Sequence, residues 1–131
     1  MLYEWLRDYQ KLEEEIDYLE YKLEREKKEL RRWEVGDLCN VKLQEKSIAS
    51  NLENVIYTIE WQLAQKMNDQ HDARKLIKRF KGLDNRILYG KYVEGKTLSD
   101  IALELSYSYN YVKSKHAEAM RIIKFADKLI M

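Results

Sequence analysis

Apolar residues recur along the first part of the chain in alternating steps of four and three. They are Trp5, Tyr9, Leu12, Ile16, Leu19, Leu23, Leu30 and Trp33, with Glu26 on the one seam position that breaks the run. That is a heptad seam, and it predicts one helix over residues 2–33. At 1.5 Å per residue such a helix runs roughly 50 Å. A small domain does not bury both ends of it, so the seam needs a second helix, from this chain or from another copy. The remaining positions are densely charged, including Glu13-Glu14-Glu15 and Lys27-Lys28. Gly36 is placed to end the helix.

Residues 37–47, with Leu38, Val41 and Leu43, either begin a helix or line a connection. From Ser47 to Lys66 a second amphipathic helix is predicted. Ile48, Leu52, Val55, Ile59 and Leu63 step by four, three, four and four, flanked by Ile56 and Trp61. The two seams can pair as an antiparallel hairpin or between chains, and the pattern allows both. Residues 66–72 carry no apolar period, which sets a domain boundary at 70/71. A short helix is predicted over 73–81, with Leu76, Ile77 and Phe80 inward and Gly82 ending it. Another covers 84–93, with Ile87, Leu88 and Tyr92 on one face and Gly95 closing it. Gly90 inside that helix costs about 1 kcal/mol against alanine, so a close helix approach is expected there.

The pattern sharpens from Thr97, where the chain reads TLSDIALELSYSYNYVKSKHAEAMRII. Thr97 is a good N-cap, with Asp100 three residues on, as in a capping box. Leu98, Ile101, Ala102 and Leu105 form one apolar face. Ser108 caps a following helix whose apolar positions are Val112, Ala119, Met120 and Ile123. This spacing predicts a helix-turn-helix. Ala102 is small where the two helices cross, and Val112 returns to the shared core. Ser106 stands at the turn position that glycine most often fills, and serine takes a left-handed conformation at some cost. The predicted fold is therefore all-α: long coiled-coil-like N-terminal helices over 1–70, then a helix-turn-helix domain over 71–131.

A second helix of that kind lies in a DNA major groove, with its N-terminal residues at base edges. Those residues are Tyr109, Asn110, Tyr111, Lys113, Ser114 and His116. Asn110 suits a bidentate contact to adenine, and Lys113 suits guanine or phosphate. Arg74, Lys75, Lys78, Arg79, Lys91, Lys96, Lys115 and Arg121 are phosphate candidates, which position a domain without specifying sequence.

Charge supports this division of labour. The net charge of +1 hides 11 Lys/Arg against 16 Asp/Glu in residues 1–70, and 13 against 7 in residues 71–131. A basic back half suits a polyanion. Cys39 is the lone cysteine, so no intrachain disulfide forms; a half-buried thiol in a reducing compartment is expected. His71 and His116 are too far apart in sequence to complete a zinc site with it. No apolar run approaches the ~18 residues of a membrane span. The N-terminus lacks the basic start and apolar core of a signal peptide, so a cytoplasmic protein without a membrane partner is expected. No phosphate loop, metal-ligand cluster or nucleophile–base pattern is present, so neither an enzyme nor a cofactor is expected.

Residues 83–123 resemble region 4 of the sigma-70 family. The resemblance is carried by Arg86-Ile87-Leu88, Gly95-Lys96-Thr97, Ile101-Ala102, Val112 and Ala119-Met120, in the same order and spacing. Ser106 replaces the usual turn glycine, and the tyrosines of the last helix depart from the pattern, so no DNA sequence preference carries over. The match covers about a third of the chain. Residues 1–70 resemble neither the promoter-melting nor the core-binding regions of a full sigma factor. A charged helical front with such a back is similar to phage-encoded late-gene regulators of Gram-positive bacteria, the ArpU/RinA type. That resemblance implies activation of phage genes with host RNA polymerase, in a bacterial cytoplasm.

The combined expectation is a homodimer on double-stranded DNA, joined through the seam Trp5, Tyr9, Leu12, Ile16, Leu19, Leu23 and Leu30. Two rivals are a protein-binding adaptor and a ring-forming small terminase subunit. A basic face around Lys113 favours the DNA reader, and an apolar one the adaptor.

Overall fold

A computed structural model of the chain describes residues 2–35 and 43–129. Their regular structure is helical, and no strand occurs among the described residues, so the all-α expectation holds. The helices are α1 (Leu2–Arg7), α2 (Tyr9–Glu34), α3 (Leu43–Arg79), α4 (Gly82–Leu88), α5 (Leu98–Leu105) and α6 (Tyr109–Lys128). A single π turn, Tyr89–Val93, follows α4. None of these helices is long and apolar enough to cross a membrane. The expectations for Gly36, Leu38, Cys39 and Val41 fall outside the described residues.

The chain divides into two compact units: Met1–Glu13 with Asp69–Met131, and Glu14–Asn68. The boundary expected at 70/71 lies close to the second limit. The first limit was not expected, because the opening residues of the seam join the C-terminal unit. Leu6 and Tyr9 are wholly buried there, in one core with Ala73, Ile77, Leu88, Tyr92, Ala119, Met120 and Ile123. Trp5 packs on the same core. Polar contacts hold the segment in place. The Asp127 carboxylate accepts the backbone N–H groups of Leu2 (2.8 Å) and Tyr3 (3.1 Å), two donors that the first helical turn cannot satisfy itself. The Gln10 amide donates to the carbonyls of Tyr92 (3.1 Å) and Val93 (2.6 Å). Tyr9 and Trp5 therefore do not form an inter-chain seam. A heptad pattern marks a buried face without naming what buries it.

One helix was expected over 2–33, and two are found, with Asp8 between them as a turn residue. The backbone ladder still passes through it: Asp8 N–H donates to Glu4 O (3.0 Å) and Leu12 N–H to Asp8 O (2.9 Å). The Asp8 carboxylate is taken up by the Arg7 guanidinium at 2.9 and 3.1 Å. In the opposite direction, α3 runs unbroken through residues 66–72, where a break was expected. A helix satisfies its backbone internally, so a polar stretch does not end it. The lost apolar period instead marks the change of unit at Asn68/Asp69.

In the unit Glu14–Asn68, α2 and α3 pair within the chain as an antiparallel hairpin. The Lys66 ammonium is bonded to the Glu15 carboxylate across it. Ile16, Ile56 and Ile59 are buried. Leu19, Leu23, Leu30, Leu52, Val55 and Leu63 are only half-buried, as two helices alone leave a seam open at its edges. Ile16, Leu19, Leu23 and Leu30, expected to join two chains, thus line the inside of one.

In the other unit α6 is the common support, with α1, α4 and α5 packed against it. A second core of Ile87, Ile101, Ala102 and Val112 lies there, flanked by Leu83, Leu98 and Leu105. Gly90 is buried in the π turn, where a Cβ would meet Ile101 Cδ1 and Cγ1 at 3.1 Å. The close approach expected at this glycine is present.

Candidate nucleic-acid interface

The interface is built on α5, the turn 106–108 and α6. Thr97 Oγ1 accepts the Asp100 N–H at 3.1 Å, and Ser108 Oγ accepts the Tyr111 N–H at 3.2 Å. Each cap satisfies one unpaired donor of its helix. Between them Ser106 adopts φ 60°, ψ 38°, and is the non-glycine residue of positive φ among the described residues. Tyr107 N–H donates back to Ala102 O at 3.0 Å, closing α5. Ala102 is buried under the turn and Val112 has no exposure at all. The first turns of α6 are thus fixed by the Ser108 cap and an apolar pin.

The outer side of those turns is presented to solvent. Tyr109, Asn110, Tyr111, Lys113 and Ser114 are all exposed. The Tyr107 ring stacks on Tyr111, with centroids 5.2 Å apart and planes at 24°. Lys115 Nζ lies 5.8 Å from the Tyr111 centroid. At helical spacing the outward stripe continues through Ala117, Arg121, Lys124 and Lys128, each exposed. The run Asn110, Lys113, Ser114, Ala117, Arg121, Lys124, Lys128 holds four cations and no carboxylate.

His116 departs from the expectation of a base contact. Its Nε2 lies 2.8 Å from the Tyr92 hydroxyl and its ring stacks on Tyr92 at 5.8 Å. Burial, and then the charges of Lys91 and Lys124, hold its pKa below the ordinary 6.5. Burial pushes the Tyr92 phenol up to about 12, so Tyr92 keeps its proton, with Met120 Sδ at 3.4 Å as well as His116 Nε2 in reach of its hydroxyl. His116 is half-buried because its helix position turns it toward Tyr92, in the core that Met120 also lines.

The phosphate candidates divide by their neighbours. Arg74 is bonded to the Tyr9 hydroxyl and lies 3.9 Å from Glu13. Lys96 lies between Glu104 at 2.9 Å and Glu94 at 3.4 Å, and its hydrogen bond to Glu104 raises its pKa. Lys115 is 4.0 Å from Glu118, and Lys91 lies over the Tyr92 ring at 5.8 Å. Much of the charge of Arg74 and Lys96 is thereby answered inside the protein. Lys75, Lys78, Arg79, Lys113 and Arg121 are exposed, and no described carboxylate lies within ion-pair distance of them. Lys124, Lys128 and Tyr107 were missed in the sequence. The first two continue the spacing of Lys113 and Arg121, a signal that was available. The Tyr107–Tyr111 stack depends on the turn geometry and left none.

No protein-family model, no curated protein and no solved structure matches the chain. What the interface can do follows from its side chains. An amide, a hydroxyl and an ammonium on one capped helix end can meet base edges, and cations further along can meet phosphates. Among the described residues, no three His, Cys, Asp or Glu side chains gather as metal ligands would.

Proposed function

We propose that the chain is a sequence-specific regulator of transcription that binds double-stranded DNA through α6, as a dimer. The observation that carries this reading is the outward stripe of α6 from Asn110 to Lys128, basic and free of carboxylates, on a helix held from behind by Val112. In the acting complex Asn110, Lys113 and Ser114 face base edges in the major groove, while Arg121, Lys124 and Lys128 follow the backbone. The net charge supports it. The unit Met1–Glu13 with Asp69–Met131 holds 15 Lys/Arg against 11 Asp/Glu, and the hairpin unit 9 against 12. The resemblance to sigma region 4 extends the proposal to phage late-gene activation alongside host RNA polymerase.

The test is binding of the purified protein to DNA from its own genetic neighbourhood across a salt series. A sequence-dependent shift is expected, its affinity falling with salt at a slope of about −0.9 per phosphate neutralised. Asn110→Ala is expected to cost about 1–3 kcal/mol on the specific site and little on other DNA. Equal losses on both would remove Asn110 as a base reader.

One observation favours a second reading, a protein-binding adaptor. The neighbouring face of α6 exposes Ile122, Phe125 and Leu129, 60%, 63% and 70% accessible. A folded protein that shifts no fragment at any salt concentration would favour that reading over the first.

A further inference from the structure

The seam of α2 faces α3 of its own chain and is open at its edges, and a second stripe runs along the exposed side of α2. Glu14, Tyr18, Tyr21, Arg25, Lys28 and Arg32 follow one another there at steps of four, three, four, three and four. All six are exposed, Tyr18 at 65% and Tyr21 at 63%. The spacing is that of a second helix–helix seam, drawn in aromatic and charged residues rather than leucines. Charge along the helix is polarised. Residues 13–20 hold five carboxylates and no cation, while residues 22–32 hold six cations and three carboxylates. The helix dipole favours that sense of polarity, but its influence is spent within the terminal turns and does not ask for two outward tyrosines in the middle.

We infer that this stripe is a homodimer interface, in which α2 of one copy packs antiparallel on α2 of a second about a two-fold axis at Tyr21. With the axis there, positions whose numbers add to 42 face each other. Tyr21 meets the partner's Tyr21. Glu14 meets the partner's Lys28, and the symmetry makes that pair twice. Asp17 meets the partner's Arg25, whose guanidinium also reaches the face of Tyr18. A parallel pairing sets five carboxylates against five, so the charge pattern accepts a second copy in one direction only. The hairpin is thin, with Ile16, Ile56 and Ile59 the only buried side chains among its described residues, and an added helix layer gives it a second contact surface. The inference rests on the dimeric half of the reading above and not on its DNA-binding half, so protein alone tests it.

The experiment is sedimentation equilibrium of the full chain over a concentration series, with charge-reversal variants at the two-fold pair. The wild type is expected at twice the 15.9 kDa of one chain. Glu14→Lys and Lys28→Glu are each expected to weaken the dimer about tenfold, since two attractive surface pairs become repulsive. The double variant Glu14→Lys/Lys28→Glu restores both pairs and is expected to recover wild-type association. Circular dichroism confirms the fold of each, and recovery by the double variant excludes unfolding as the cause of the single losses. A monomer at every concentration, or a double variant that stays weak, overturns the inference. A dimer indifferent to both reversals overturns it too, by locating the contact elsewhere, while leaving a dimeric regulator standing.

Discussion

Of the sixteen buried apolar residues among the described ones, thirteen lie in the unit Met1–Glu13 with Asp69–Met131 and three in the hairpin Glu14–Asn68. Both carry apolar residues at helical spacing in sequence. What separates them is the number of layers. In the first, α1, α4 and α5 all close on α6, and side chains such as Leu88 and Val112 lose all contact with water. In the second, two helices meet along one line, and Leu19, Leu23, Leu52 and Leu63 keep part of their surface wet. Periodicity therefore reports which face turns inward, and the number of neighbouring elements decides how much burial stabilises it.

The largest test of this contrast is a matched pair of truncations read by urea unfolding. Leu88→Ala, at a site with no exposure, is expected to cost about 3 kcal/mol, and Leu63→Ala in the half-buried seam about 1 kcal/mol. Equal losses would show that the hairpin carries a core of its own. Next in size is Asp127→Ala, which strands the N–H groups of Leu2 and Tyr3. A loss of about 1–2 kcal/mol is expected, with faster amide exchange in α1 than in α6. Uniform exchange across the unit would remove the special role of this anchor. Ser106→Gly should work in the other direction, raising stability by about 1 kcal/mol, because φ 60° is strained for serine and not for glycine. A melting temperature that does not rise would mean that the serine hydroxyl offsets the strain.

The smallest effect concerns pH. The folded-state pKa of His116 is depressed below 6.5, first by burial. Its contribution is therefore fully present above the unfolded value and is lost as pH falls through 6.5 and then through the folded pKa, because the unfolded chain binds the proton first. His116→Gln should flatten the stability profile below about pH 6.5 relative to wild type. An unchanged slope would assign acid sensitivity to other groups.

Local chemistry was the most legible part of the sequence. Thr97 and Ser108 bond their helix ends as caps, Ser106 takes the left-handed turn, and Ala102, Val112 and Gly90 sit at close approaches. Each is set by residues within a few positions, which is why spacing reveals it. The identity of distant partners was not legible. Nothing around Tyr9 says that Ile77 and Met120 will cover it, and nothing around Lys96 says that Glu104 will answer its charge. His116 illustrates the same limit at the candidate interface: its position in the helix was clear, but the Tyr92 hydroxyl that draws it inward comes from 24 residues earlier. The direction of the exposed stripe on α2 could have been counted from the start, but only closure of the seam within the chain makes it the face left for another molecule.

The anchoring of Leu2 and Tyr3 on Asp127 joins positions 125 and 124 residues apart. A ribosome releases the chain from its N-terminus, so α1 is synthesised on the order of ten seconds before the helix that holds it. During that interval Leu6 and Tyr9 have no core to enter, while α2 and α3 can already pair. The unit with the deepest burial thus cannot close until α6 has been made, whereas both helices of the hairpin are made before it. A nascent chain stalled before α6 would present its opening helix as exposed apolar surface, a target for holding chaperones that the finished protein withdraws.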